Sequence, residues 1–241
     1  PGTNLSVLAK IGSLDNSGEP HSNLTPEKLT ADIDSLMARL GSTLGCVSVH
    51  WDNRGDTNED RLAIEKTVGT LKKLRQQGIE VGLSGIKHPE PYYHADPELS
   101  GHWIIQVKEN LTTANARMTY TPFFPKARYL AYGTNFGGMS TAPAQQDSSS
   151  TLRAITHSKV LIDELSDLID SKHHFKPAPS TLNEVALIST YTNPALSGAI
   201  IGPRNITQLL STQAYWEKLK SVDASELDMT FINHLEKYRH P

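Results

Sequence analysis

Hydrophobic positions along the chain alternate between two patterns, short unbroken runs and longer stretches with apolar residues three and four apart. The first pattern predicts buried strands, the second amphipathic helices. The opening run, Leu5 to Ala9, ends at Lys10, Ile11 and Gly12. A polar loop, Asp15 to Asn23, leads to Thr25 and Pro26, a capping residue followed by proline at the first helical position. Leu29, Ile33, Leu36, Met37 and Leu40 form that helix's apolar stripe, and Gly41 sits where it should stop. Cys46 to Trp51 reads as the second strand. The next helix carries Leu62, Val68, Leu71 and Leu74, with Lys72, Lys73 and Arg75 at its dipole-favoured end and Gly78 closing it. Strands follow at Ile79 to Ser84, Trp103 to Val107, Ala127 to Tyr132 and Leu196 to Ile201. Further helices span Leu152 to Ile169, Thr181 to Tyr191 with Ser180 as cap, Thr207 to Leu219 and Ala224 to Tyr238. Ser140 to Ser150 reads as a flexible loop.

Strands separated by helices of this length imply βα units and a parallel sheet. A doubly wound sheet and a (β/α)8 barrel both satisfy that order. No Gly-x-Gly-x-x-Gly turn follows the first strand, which removes the main support for a dinucleotide-binding sheet. Lys10, His50, Ser84, Gln106 and Tyr132 each stand at or near the C-terminal end of a strand. In a barrel those ends share the one face where chemistry is done. The expectation is therefore an α/β fold of the (β/α)8 TIM-barrel type, with residues 1–241 as a single domain.

Composition narrows the function classes. With 23 basic against 26 acidic residues, the chain lacks the basic excess of a dedicated nucleic-acid binder. One cysteine, Cys46, excludes an internal disulfide framework and a multi-cysteine zinc site. No apolar run approaches the ~20 residues needed to cross a bilayer. His173-His174 lies in a polar stretch and reads as solvated rather than metal-binding.

At the strand ends the chain resembles the aldo-keto reductase family, and the matching pieces come in family order. The Lys10 strand resembles the family's third strand, and "SLMARLG…CVSVHWD" the helix and strand carrying its active-site histidine. "LRQQGIEVGLSG" resembles the segment ending in Gly-x-Ser-Asn, "IIQVKENL" the glutamine strand, and "LAYGTNFGGM" the tyrosine-containing seventh strand with its glycine turn. "IIGPRNITQLL" is similar to the cofactor-phosphate signature. The counterparts of strands three to eight are present and the first two βα units are not, so the barrel is truncated at its N-terminal side relative to the family. Those units would carry the catalytic tyrosine and the aspartate that supports the lysine. Either the sequence is a fragment or the natural protein lacks them, and the open barrel edge invites a second copy or another chain.

The resemblance implies a role for each matching residue. Lys10 corresponds to the lysine whose charge lowers the tyrosine pKa; without that tyrosine it would neutralise a cofactor or substrate anion. His50 corresponds to the histidine that hydrogen-bonds the substrate carbonyl, and Trp51 beside it would line the substrate pocket. Ser84 and Gln106 would hold the nicotinamide carboxamide, with Gly85 standing where the family usually has asparagine. Tyr132 would stack under the nicotinamide ring or serve as a core aromatic. Gly133, Thr134 and Asn135 form the turn under the pyrophosphate, with Gly137-Gly138 as a possible hinge. Gly202, Pro203, Arg204, Asn205 and Gln208 lead from a strand into a helix N-terminus, and Arg204 favours NADP(H) over NAD(H). The ring- and proline-rich insert Lys87 to His94 would line the substrate pocket and offer Tyr92 or Tyr93 as a stand-in proton donor, or else be a rigid loop that packs. The implied activity is NADP(H)-dependent interconversion of a small-molecule carbonyl and its alcohol. The alternatives are a non-redox enzyme (dehydration, cyclisation or isomerisation) and a nucleotide-binding subunit on the same fold. A cytoplasmic setting, no nucleic-acid or membrane partner, and a homodimer or second chain on the open edge complete the expectation.

Overall fold

The computed structural model describes residues 5–14, 21–135, 159–170, 175–222 and 229–237. The chain divides into two compact units, one of residues 1–107 and 117–129, the other of 108–116 and 130–241.

In the first unit, β1 (Val7–Ile11) is followed by a short antiparallel hairpin, β2 (Ser13–Leu14) with β3 (His21–Ser22), where only a polar loop was expected. Helix α1 (Pro26–Leu40) begins and ends where the sequence predicts: the Thr25 hydroxyl accepts from Lys28 N and Gly41 closes it at φ 52°. Then come β4 (Leu44–Asp52), α2 (Asn58–Gln76) and β5 (Glu80–Ile86). Thr57 and Asp60 cap α2 reciprocally, so two of its otherwise unpaired N–H groups find acceptors. Leu62 does not join the buried face of α2; it is 58% exposed, and Ile64 takes the inward position. Helix α3 (Pro89–Ala95) occupies the insert expected as a loop. Its prolines fall in the first turn, where the missing N–H has no helical partner to lose. The unit continues with β6 (Ile104–Lys108) as far as Val107, α4 (Asn115–Tyr120) from Arg117, and the start of β7 (Arg128–Tyr132).

The sheet has six strands in the order β1-β4-β5-β6-β7, ending with β8 (Gly198–Ile200). The register is parallel, with Lys10 opposite Ser48, His50 opposite Ser84 and Ser84 opposite Gln106. β4, β5 and β6 are buried on both faces, one apolar and the other carrying Ser48, His50, Ser84 and Gln106 toward the strand ends. Val47, Val49, Val81, Leu83 and Ile105 are each fully buried. Cys46 is buried on the opposite face of β4, 5% exposed, and burial pushes its thiol up to about 12.

The second unit holds α5 (Lys159–Asp170), α6 (Leu182–Tyr191), β8, α7 (Ile206–Lys220) and α8 (Met229–Glu236). Leu165, Phe175, Val185, Leu187, Ile188, Leu219 and Phe231 form its core. Thr181, not Ser180, caps α6: its hydroxyl accepts from Glu184 N while the Glu184 carboxylate accepts from Thr181 N. β8 is half-buried along its whole length. Helix α7 has two apolar faces. Tyr215 and Leu219 turn into the core, and Ile206, Leu209 and Leu210 face outward at 65%, 36% and 57% exposure.

Candidate active site

In the first unit the parallel register gathers four of the expected residues into one row. Residues opposite each other on adjacent strands share a face, and side chains two apart on one strand share it too. Ser48 opposes Lys10, His50 stands two residues beyond Ser48, Ser84 opposes His50 and Gln106 opposes Ser84. A direct bond ties the row together: Lys10 Nζ donates to Ser84 Oγ at 3.2 Å. Partial desolvation holds the Lys10 ammonium below the ordinary lysine value. Burial and then the Lys10 charge hold the His50 imidazolium below the ordinary histidine value, so His50 is neutral near pH 7 and keeps one N–H to donate. Gln106 is 2% exposed, and its Nε2 is buried without an acceptor among the described residues. An amide N–H left this way costs roughly 1–3 kcal/mol, a cost that an arriving acceptor offsets.

Just past this row both strands turn left-handed together. Trp51 has φ 58° and Gly85 φ 68°. A bulky residue there is strained, and a Cβ on Gly85 would stand 2.7 Å from Trp51 Cδ1. This explains glycine at the position where the resemblance expects asparagine: the Trp51 ring covers that backbone. Trp51 is 49% exposed, its ring centroid 5.4 Å from that of His50.

The next residue, Asp52, is fully buried and holds a network the sequence reading missed. Arg54 grips its carboxylate through Nε (3.0 Å) and Nη2 (2.8 Å), and the Tyr92 hydroxyl donates to Oδ2 at 2.6 Å. Arg54 Nη2 also reaches Thr67 Oγ1 at 3.1 Å. Tyr92 is thus wholly buried, edge-on to Trp103, with its hydroxyl committed to Asp52 rather than facing an accessible pocket. Burial and the Asp52 charge raise its pKa well above the ordinary phenol value. Tyr93 is partly buried and packs against Phe123 and Phe124.

In the second unit, Tyr132 is partly buried at the end of β7, and burial raises its pKa. Gly133 turns the chain at φ 65°, and its carbonyl accepts from Asn110 Nδ2 at 3.2 Å. Thr134 is buried, and Asn135 Nδ2 donates to Asn183 Oδ1 at 3.0 Å. Glu109 and Asn193, joined at 2.8 Å, are buried polar groups of this unit that the sequence reading did not single out. Gly202, Pro203, Arg204, Asn205 and Gln208 are all exposed. Asn205 caps α7 by accepting from Gln208 N at 2.9 Å, and Gln208 Oε1 accepts from Arg204 N at 2.8 Å. The Gly137-Gly138 turn, the 140–150 loop and His173-His174 lie outside the described residues.

The fold is that of the aldo-keto reductases, an α/β fold of the (β/α)8 type represented here by six parallel strands. An aldo-keto reductase from Brucella melitensis matches with TM-score 0.59 and 13% identity over 97% of this chain and 73% of that one. A Bombyx mori aldo-keto reductase in complex with NADP matches with TM-score 0.54 and 13% identity, over 98% and 68%. An aldo-keto reductase complexed with NADPH matches with TM-score 0.55 and 14% identity over 98% of this chain, which spans 64% of that one. No family model matches the chain, and no curated protein matches it. Among the described residues, no helix is long and apolar enough to cross a membrane, and no cluster of three or more His, Cys, Asp or Glu could hold a metal ion.

Proposed function

We propose that this chain carries the working face of an NADP(H)-dependent carbonyl reductase acting on a small aldehyde or ketone, or on the alcohol in reverse. The observation that carries the reading is the Gln106 amide, buried beside Ser84 with no acceptor for its N–H among the described residues. A carboxamide oxygen fits that donor, and the Ser84 hydroxyl is the neighbouring polar partner. Bound there, the nicotinamide would supply the hydride. His50, neutral, donates its N–H to the substrate carbonyl and so polarises it. Lys10 adds positive charge where oxygen becomes negative. Trp51 forms an apolar wall beside His50. Taken by themselves in the second unit, Arg204 with the cap of α7 is what the resemblance assigns to a phosphate, and Tyr132 with the Gly133 to Asn135 turn is what it assigns to an aromatic ring and a pyrophosphate. The resemblance finds no counterpart of the family's acid tyrosine or its aspartate in this sequence.

The test is a titration with NADPH and NADH, read by tryptophan quenching. Saturable binding that favours NADPH is expected. Gln106→Leu should weaken it about tenfold, the worth of one buried hydrogen bond. Arg204→Ala should weaken NADPH but not NADH. Absence of NADPH binding would overturn the reading.

A second reading rests on the Lys10–Ser84 bond. It gives the lysine a hydroxyl neighbour already in place, which suits a non-redox use of the same face.

A further inference from the structure

The row at the strand ends of the first unit sets an amine, an imidazole, a hydroxyl and a buried amide N–H that has no acceptor among the described residues side by side on four neighbouring strands. Each has a use in one piece of chemistry that needs no nicotinamide. We propose that Lys10 is a nucleophile toward carbonyl compounds, its ε-amine forming an imine with a small aldehyde or ketone held against Gln106.

The amine lone pair attacks the carbonyl carbon, and the C=O π pair moves onto oxygen. That oxygen takes up the proton that nitrogen loses, giving a carbinolamine. The hydroxyl then leaves as water with one further proton drawn from solvent, while the nitrogen lone pair closes the C=N bond, and nitrogen's remaining proton returns to solvent to leave the neutral imine. Nothing is oxidised or reduced, and the only co-reactant is the carbonyl compound itself.

The surroundings serve these steps. Ser84 Oγ, 3.2 Å from Nζ, accepts one amine N–H and fixes where the nitrogen sits. Gln106 Nε2 is buried and lacks an acceptor among the described residues, so it supplies a donor for the oxygen that becomes the carbinolamine hydroxyl. His50, opposite Ser84, is placed to carry the proton from nitrogen to oxygen. The electrostatics point the same way. Desolvation favours the neutral amine at Lys10, and burial favours neutral imidazole at His50. Lys10 also keeps access to solvent, so a carbonyl compound can reach it. This goes beyond the reductase reading: there Lys10 is a fixed charge, here it forms a bond.

The experiment traps the imine. The whole chain is exposed briefly to propanal and cyanoborohydride without nucleotide, and each lysine's propylation is followed by peptide mass spectrometry. Lys10 is expected to be tagged several-fold faster than the exposed Lys73, Lys126 and Lys220. That preference should vanish in urea. In Gln106→Leu, with its fold checked by circular dichroism, Lys10 should slow toward the other lysines while theirs stay unchanged. His50→Gln, a second variant at a partly exposed position, should slow Lys10 selectively too. A wild-type Lys10 no faster than those lysines would overturn the proposal without recourse to any variant. So would a preference that survives urea, or one unchanged in both variants. The nucleotide titration is read separately: fast tagging without NADPH binding fells the reductase reading alone, and NADPH binding with indifferent tagging fells this one alone.

Discussion

The strand ends of β4, β5 and β6 and the turn between β8 and α7 both carry residues that the sequence marks as functional, yet they are built in opposite ways. At the first, polar side chains stand on strands whose apolar neighbours are fully buried, and the Gln106 amide N–H is buried without an acceptor among the described residues. At the second, every residue from 201 to 210 is exposed, and the hydrogen bonds of Asn205 and Gln208 are short-range caps of their own helix. A site built the first way holds its geometry before a ligand arrives. A site built the second way is shaped largely by charge and by what lands on it. In the proposed reading, discrimination by shape would fall to the first and attraction of an anion to the second.

Substitutions can break that contrast. The largest expected effect is at Asp52. Asp52→Ala leaves the Arg54 guanidinium and the Tyr92 hydroxyl without their buried partner, and should cost about 3–5 kcal/mol in urea unfolding. A loss under 1 kcal/mol would mean that the network is not holding β4. Next comes a matched pair of strand residues. Leu83→Ala, fully buried in β5, should cost about 2–5 kcal/mol, whereas Ile200→Ala in half-buried β8 should cost clearly less, because the site can fill with water. Equal costs would erase the distinction.

The smallest effect is a pH dependence. His50 has its folded-state pKa below the unfolded value, so the unfolded chain binds more protons in that window. Its contribution to stability is present above the ordinary histidine range and declines as pH falls through it toward the lowered folded value. His50→Gln should flatten that part of the curve; an unchanged curve would show that His50 does not feel its surroundings.

Much of this was legible in the sequence, and the failures have local causes. Thr25, Pro26 and Gly41 bracket α1 as read, because caps and prolines act within one turn. The α6 cap moved from Ser180 to Thr181, since the reciprocal partner Glu184 lies three residues beyond Thr181. Helix α3 was hidden by Pro89 and Pro91, which a first turn tolerates. The row of Lys10, His50, Ser84 and Gln106 was visible as polar residues ending apolar runs, and the parallel register then aligned them. The Asp52 network was not visible. Its members lie up to 40 residues apart, and only burial makes a carboxylate next to Trp51 differ from any other. Trp51 itself gives no local sign of its left-handed backbone, which becomes readable only with Gly85 beside it.

Cys46 has a practical consequence of its own. It is the sole thiol of the 241 residues, shut inside β4 between β1 and β5, with its pKa raised to about 12. Alkylating reagents react with thiolate, so the folded chain presents them with almost nothing. The rate at which this one sulfur is alkylated therefore counts how often the centre of the sheet comes apart, which makes the chain its own stopwatch for opening.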